Sequence, residues 1–369
     1  MHRKILCILS FILACLTIPH PGRAAASDPS AIGPGRALSL LDGAGRTVTL
    51  KKSPQRLVVV GQGPFMPMHL LYMFPECKER LVGYEQKYKS VDTFLPLVDA
   101  GFPSKVAMGT NPGPEQIISL TPDLVIMKSS TTTQLGESLA ALGIPVVYLG
   151  MESPEQFLKD ASNAGTLFGN QGRAEEIVEF YRSRIGRIDK GTEGVKKEEK
   201  PRVLVMEYNE RGGKAAVQVP GRSWTQTIQA VRAGGRPVWL EATRTSEGWT
   251  IVNFEQVAAW DPDKIFIIPW YTLDRREVLA SFRADPGWRM LRAVKSNEMY
   301  LFPSDIFGWD SSEPRWLLGL MWLATRILPD RFGDIHMGKE IHQFFSGMYR
   351  MDKAAIDEFI MPRVMLEGR

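Results

Sequence analysis

Between Leu57 and Leu149, short apolar runs alternate with stretches of helical periodicity. Leu57–Val60, Leu124–Met127 and Val146–Leu149 are unbroken and rich in β-branched residues, as strands covered on both faces require. Leu81–Gly83 begins another extended stretch, and Arg46–Leu50 reads as a short edge strand. Met68–Phe74, Pro114–Leu120 and Gln134–Leu142 read as helices. Glu115 falls in the first turn of the second, where a carboxylate suits the helix dipole. Gly143 and Pro145 stop the third. This βα alternation predicts a mostly parallel sheet with helices on both faces.

A helical region follows. Pro154–Phe168 is one helix, broken at Gly169–Gly172, and a second runs from Arg173 to about Ile188 with Ile177, Phe180, Tyr181, Ile185 and Ile188 on one face. Lys190–Lys200 is charged, contains Gly191 and Gly194, and reads as a solvated boundary. Beyond it the strand and helix signals resume. Val203–Met206, Lys264–Ile268 and Met299–Phe302 are strands; Trp224–Ala233, Asn253–Trp260 and Trp316–Leu328 are helices. A chain of 369 residues exceeds what one core usually serves. The reading is a first α/β lobe over 27–168, a linker over 169–199 and a second α/β lobe over 200–369.

The first residues do not belong to that pattern. Met1-His2-Arg3-Lys4 is basic, Ile5–Ile18 is apolar and Ala24-Ala25-Ala26 is a small-residue cleavage site, the order of a secretory signal over 1–26. The apolar run is shorter than the roughly 20 residues that span a membrane. Ile12-Leu13-Ala14-Cys15 loosely resembles a lipoprotein box, but the apolar run continues past Cys15, so cleavage after Ala26 is the expectation. The formal charge of +4 owes three of its positive residues, Arg3, Lys4 and Arg23, to this segment. The remainder is close to neutral, which gives no electrostatic footing for nucleic acid or an anionic surface. Cys7 and Cys15 also lie in the segment, leaving Cys77 alone and reading as a buried apolar residue.

Motifs for chemistry are sparse. Gly61-x-Gly63 follows a strand, but Met66 occupies the third glycine position of a dinucleotide fingerprint and Pro64 intrudes. Gly221-x-Ser223 is followed by Thr225 where a nucleophile elbow needs glycine. No Walker sequence is present. His336 and His342 fall on different helix faces, and His69 stands by itself, so a bare transition-metal site is not indicated. Aromatic and Met residues gather near strand ends instead: Phe65, Met66, Met68, Tyr84 and Tyr88 in the first half, and Trp224, Trp249, Phe307 and Trp309 in the second. Ligands of α/β sheets bind beyond the carboxyl ends of strands, and aromatic walls suit a sizeable, partly apolar ligand.

Four stretches, taken in order, resemble the periplasmic binding proteins of the iron-siderophore, haem and cobalamin importers. They are Asp42–Val48 with Pro54–Val59, Pro114–Ile126, Phe254–Ile265 and Pro314–Ala324, and the resemblance runs from about Asp42 to Pro362. It implies two Rossmann-like lobes with mostly parallel sheets joined by one long α-helix, here about Arg173 to Lys190, and small interlobe motion. It implies an exported, monomeric binding component of an ABC importer, with no catalysis and no resident cofactor. The expected cargo is a chelated metal, a ferric siderophore first, with cobalamin or haem as alternatives. Glu115 and Glu255 match the carboxylates that dock on permease arginines. By position the ligand contacts are Met66, Tyr88, Thr110, Trp224, Trp249, Trp309 and Arg315. Arg315 could equally pair with Asp310 or Glu313. A ligand-binding sensor module, or a secreted enzyme using Glu115 and Glu255 as acid and base, are the competing expectations.

Overall fold

A computed structural model of the chain describes residues 37–87, 91–129, 134–211, 214–245 and 248–366. The predicted signal over 1–26, with Cys15, and the ligand candidate Tyr88 lie outside the described residues.

Strands β1 (Leu38–Leu41) and β2 (Thr47–Leu50) form a separate antiparallel hairpin, so the predicted edge strand belongs to neither main sheet. The buried Asp42 holds its turn, accepting from the amides of Ala44 and Arg46 at 3.0 and 2.9 Å and from the Arg46 guanidinium at 2.7 Å. The first lobe contains β3 (Leu57–Val59), β4 (Leu81–Glu85), β5 (Val106–Met108), β6 (Leu124–Lys128) and β7 (Val146–Leu149). They pair in the order β5-β4-β3-β6-β7, all parallel. The second lobe contains β8 (Arg202–Arg211), β9 (Lys214–Val219), β10 (Arg236–Pro237), β11 (Thr250–Val252), β12 (Lys264–Pro269) and β13 (Met299–Leu301). Here the order is β11-β9-β8-β12-β13, with β10 beside β8.

The second sheet is mixed, not parallel throughout: β9 runs antiparallel to both β8 and β11. Gly212-Gly213 stands between β8 and β9 in the sequence, a two-residue hairpin signal. β8 continues beyond Tyr208, the last residue matched to β12, so the hairpin projects past the carboxyl edge of the sheet.

The two lobes repeat one device. Helix Pro114–Ser119 precedes β6, and helix Phe254–Trp260 precedes β12. Each begins with a glutamine side chain reaching back to the N-cap amide, Gln116 to Gly113 at 3.2 Å and Gln256 to Asn253 at 3.0 Å; the Asn253 side chain completes a capping box by accepting from the amide of Gln256 at 2.9 Å. Each is followed by a residue of positive φ, Thr121 at 45° and Asp261 at 38°, then by Pro-Asp. Asp123 accepts from the amides of Gln55 and Arg56 at 2.8 Å, and Asp263 from the amide of Arg202 at 2.8 Å. Arg56 and Arg202 return the favour, donating to the carbonyls of Leu120 and Trp260 that close the helices. Arginine at a helix carboxyl end satisfies carbonyls the helix cannot.

Helix Gln171–Thr192 runs between the sheets. Asn170 caps it through the amide of Arg173, and Gly169, at φ 71°, ends helix Pro154–Phe168 before it. The buried Arg173 binds the first lobe through the carbonyl of Met73 at 2.8 Å. It also binds the carbonyls of Gly347 and Met348 at 2.8 and 2.7 Å. The last two belong to helix Met337–Tyr349 and mark its return from the second lobe to the first. No helix among the described residues is long and apolar enough to cross a membrane.

Asp160 in helix Pro154–Phe168 is buried and accepts from the amides of Gly150 and Met151, both through Oδ2, at 2.8 and 2.9 Å. Burial pushes its carboxyl up to about 7, against those two amides. Because the folded carboxyl holds its proton more tightly than the unfolded one, its stabilising contribution is full below about pH 4 and is lost as pH rises through about 7. Asp160→Asn keeps one oxygen for both amides and removes the titration. The variant is expected to match the parent in urea denaturation at pH 4 and to exceed it at pH 8.

Candidate ligand cleft

The carboxyl ends of the strands converge. Helix Phe65–Leu71 follows β3 and is reached through Gly61 and Gly63, whose φ of 100° and 66° favour glycine. It presents Phe65, Met66 and His69 to the segment after β13. Phe65 stacks on Phe307 with centroids 5.3 Å apart, and His69 meets Phe307 edge-on at 4.6 Å. Met66 Sδ lies 3.3 Å from Ser312 Oγ. Lys128, the last residue of β6, is buried, pairs with Glu152 beyond β7 and donates to Ser312 Oγ at 2.9 Å. Thr225 Oγ1 donates to the carbonyl of Glu152 at 3.1 Å. The lobes thus touch along the β3, β6 and β7 side.

At the centre of this seam is a buried charge cluster. Arg315 has no exposed surface. It pairs with Asp305 at 2.9 Å and with Glu313 at 2.8 Å, and both carboxylates are equally enclosed. His69 Nδ1 sits 3.1 Å from Glu313 Oε2 and 3.3 Å from Arg315 Nη1. Burial works against the Arg315 charge, but Asp305 and Glu313 together raise its pKa. Burial also raises Glu313 and lowers His69, the latter with help from Arg315. His69 is therefore neutral at neutral pH. The guanidinium lies 4.2 Å from the centre of the Phe94 ring, within cation–π range.

This geometry places the expected ligand residues unequally. Arg315 and Trp309 are both fully buried; Arg315 pairs with Glu313, one of the two alternatives, and with Asp305 rather than Asp310. Trp309 Nε1 donates to Asp305 Oδ2 at 3.1 Å, so this indole props the same cluster. Met66 is half-buried in the seam. Trp224 and Trp249 meet edge to face with centroids 5.4 Å apart, both half-buried. Thr110 is exposed just past β5. Cys77 is buried and burial raises its thiol pKa, which makes it unreactive.

Residues that the periodicity did not reveal complete the picture. Trp270 and Tyr271 follow β12 directly, with ring centroids 4.9 Å apart and Tyr271 70% exposed. Glu85, buried at the end of β4, accepts from the amides of Gly61 and Asn111 at 2.7 and 2.9 Å. It ties two cleft loops together and takes the amide a phosphate would need. The signal for both was position alone, immediately after an apolar run. Among the described residues, no group of three or more His, Cys, Asp or Glu side chains is placed to hold a metal ion.

The profile of the Periplasmic binding protein family, Peripla_BP_2, matches residues 83–306. The chain belongs to this family. It is 23% identical over 253 residues to the molybdate-binding protein MolA of Haemophilus influenzae, covering 64% of this chain and 69% of that protein. It is 21% identical over 244 residues to the iron-uptake system-binding protein of Bacillus subtilis, covering 65% and 70%. Among solved structures, the TroA-like periplasmic binding protein FepB of Veillonella parvula superposes with a TM-score of 0.70 at 21% identity, over 84% of this chain and 96% of that one. MolA bound to molybdate superposes with a TM-score of 0.66 at 19% identity, over 85% and 98%. These likenesses establish the two-lobed fold.

Removing the cation from the seam should be costly. Arg315→Met would leave Asp305 and Glu313 buried without a counter-charge, and a loss of about 3–5 kcal/mol is expected in urea denaturation at pH 7.

Proposed function

We propose that the protein is the extracytoplasmic binding component of an ABC importer, capturing a chelated metal between its lobes and presenting it to the permease. The observation that carries this reading is the matched placement of Glu115 and Glu255. Both are exposed first-turn residues of helices that share an N-cap amide held by a glutamine, a positive-φ stop and a Pro-Asp clamp, one on each lobe. A pair of carboxylates held at equivalent points on two lobes suits a pair of cationic pockets on a partner. In MolA the family scaffold serves an ABC transporter for molybdate, and in the Bacillus subtilis relative an iron-uptake system, which supports metal-containing cargo.

The cargo proposed is a ferric siderophore, with haem and cobalamin next. The Trp224–Trp249 and Trp270–Tyr271 pairs give the second lobe aromatic surface for a partly apolar ligand. Met66 and Thr110 stand on the first-lobe side. Binding to such a site is stoichiometric and leaves the ligand chemically unchanged. Arg315 and Trp309 act by holding the lobe seam, not by touching cargo.

Native mass spectrometry on protein offered ferric siderophores, haem and cobalamin should show one stoichiometric adduct. Binding to none of them would sink the chelate reading. Glu115→Gln with Glu255→Gln should leave that adduct intact while lowering uptake by cells about tenfold or more. Uptake unchanged in the double variant would refute docking through these two residues.

A further inference from the structure

In the first-lobe sheet the strand order reverses between β3 and β6. Ligands of such sheets bind in the crevice beyond the carboxyl ends of the two strands at that point. β3 leads there into the turn of Gly61 and Gly63 and then to Met66, and β6 ends there on Lys128. Lys128 closes an apolar strand, and only 8% of its side chain is exposed. Glu152 meets its charge, and Ser312 of the second lobe accepts from it at 2.9 Å. The same hydroxyl donates to Met66 Sδ at 3.3 Å.

The counter-ion is less confined than the cation. The Glu152 side chain is 31% exposed, and its backbone is held without help from its carboxylate. Its amide donates to Gln156 Oε1 at 3.1 Å, and its carbonyl accepts from Thr225 Oγ1 across the lobes at 3.1 Å. Asp160 holds the amides of the two residues before it. The carboxylate can therefore swing into solvent without loosening the turn or the interlobe bond. Lys128 cannot follow it, and a buried cation needs an anionic partner.

We infer that Lys128 is the anion-recognising residue of the cleft and Glu152 its displaceable counter-ion, whose place a carboxylate or catecholate oxygen of the cargo takes. This rests on the reading of the cleft as a chelate site and narrows it. The preferred chelate carries negative charge. Its anionic oxygen faces the first lobe, and its apolar part meets the Trp224–Trp249 and Trp270–Tyr271 pairs of the second. A charge-assisted hydrogen bond at the switch point gives such a ligand one fixed orientation.

The test is fluorescence-quenching titration of the protein, of Glu152→Gln and of Lys128→Met with four probes. Ferric enterobactin and haem are anionic; ferrichrome and cyanocobalamin are neutral. The parent should bind one of the anionic probes most tightly. Glu152→Gln removes the competing charge and should tighten that probe about threefold or more, whereas Lys128→Met should weaken it about tenfold or more. A merely structural pair would not give tighter binding when broken. Glu152→Gln keeps a hydrogen-bonding side chain at a partly exposed position, so it decides the matter if Lys128→Met does not fold. A neutral probe bound most tightly, or an anionic probe bound no better by Glu152→Gln, would overturn the inference and leave the chelate reading standing. Binding of none of the four by the parent would remove both.

Discussion

Arg315 is a permanent cation with no exposed surface, and the geometry of the seam follows from what its burial demands. A charge removed from water must be met by opposite charge and filled hydrogen bonds. Asp305 and Glu313 supply the charge, and to do so the segment between β13 and the following helix must fold back around the guanidinium. That fold sets Trp309 against Asp305, brings Ser312 to Lys128 and Met66, and aims Phe307 at Phe65 and His69. One requirement in the second lobe thereby determines where the first lobe can rest.

The cleft floor follows the same rule of internal satisfaction. Glu85, Asp160 and Asp42 each accept backbone amides of turns next to strand ends. These turns are held by the protein's own carboxylates and do not need a bound anion to order them. The remaining surface near the strand ends is aromatic and lightly polar on the second lobe, with Met66 and Thr110 on the first. On the proposed reading, such a surface suits a ligand that carries its own coordination chemistry.

The lobes also share an outer logic. Arg56 with Asp123 and Arg202 with Asp263 clamp a helix end to the start of a neighbouring parallel strand. The clamp fixes each helix axis, and with it the place of Glu115 and Glu255. Between the lobes, helix Gln171–Thr192 and the returning helix Met337–Tyr349 are stapled together by Arg173. Two helical connections resist large hinge bending, which leaves small adjustments at the seam as the available motion.

Much of this was determined by local pattern. The unbroken apolar runs named β3, β6, β7, β8 and β12 within a residue or so at the ends shared with their neighbours, because strands buried on both faces tolerate nothing else. The repeated Pro-Asp signal placed Glu115 and Glu255 on matching helices. β8 escaped in part, since its outer half, Glu207–Arg211, is polar where the hairpin leaves the sheet. The roles of Arg315, Trp309 and His69 could not be assigned from the chain alone. Arg315 and His69 are 246 residues apart, and an arginine followed by a tryptophan reads the same whether it faces a ligand or a buried carboxylate. Local sequence determines which segments become strands and helices; burial, and therefore the meaning of a charge, is decided only when distant segments pack.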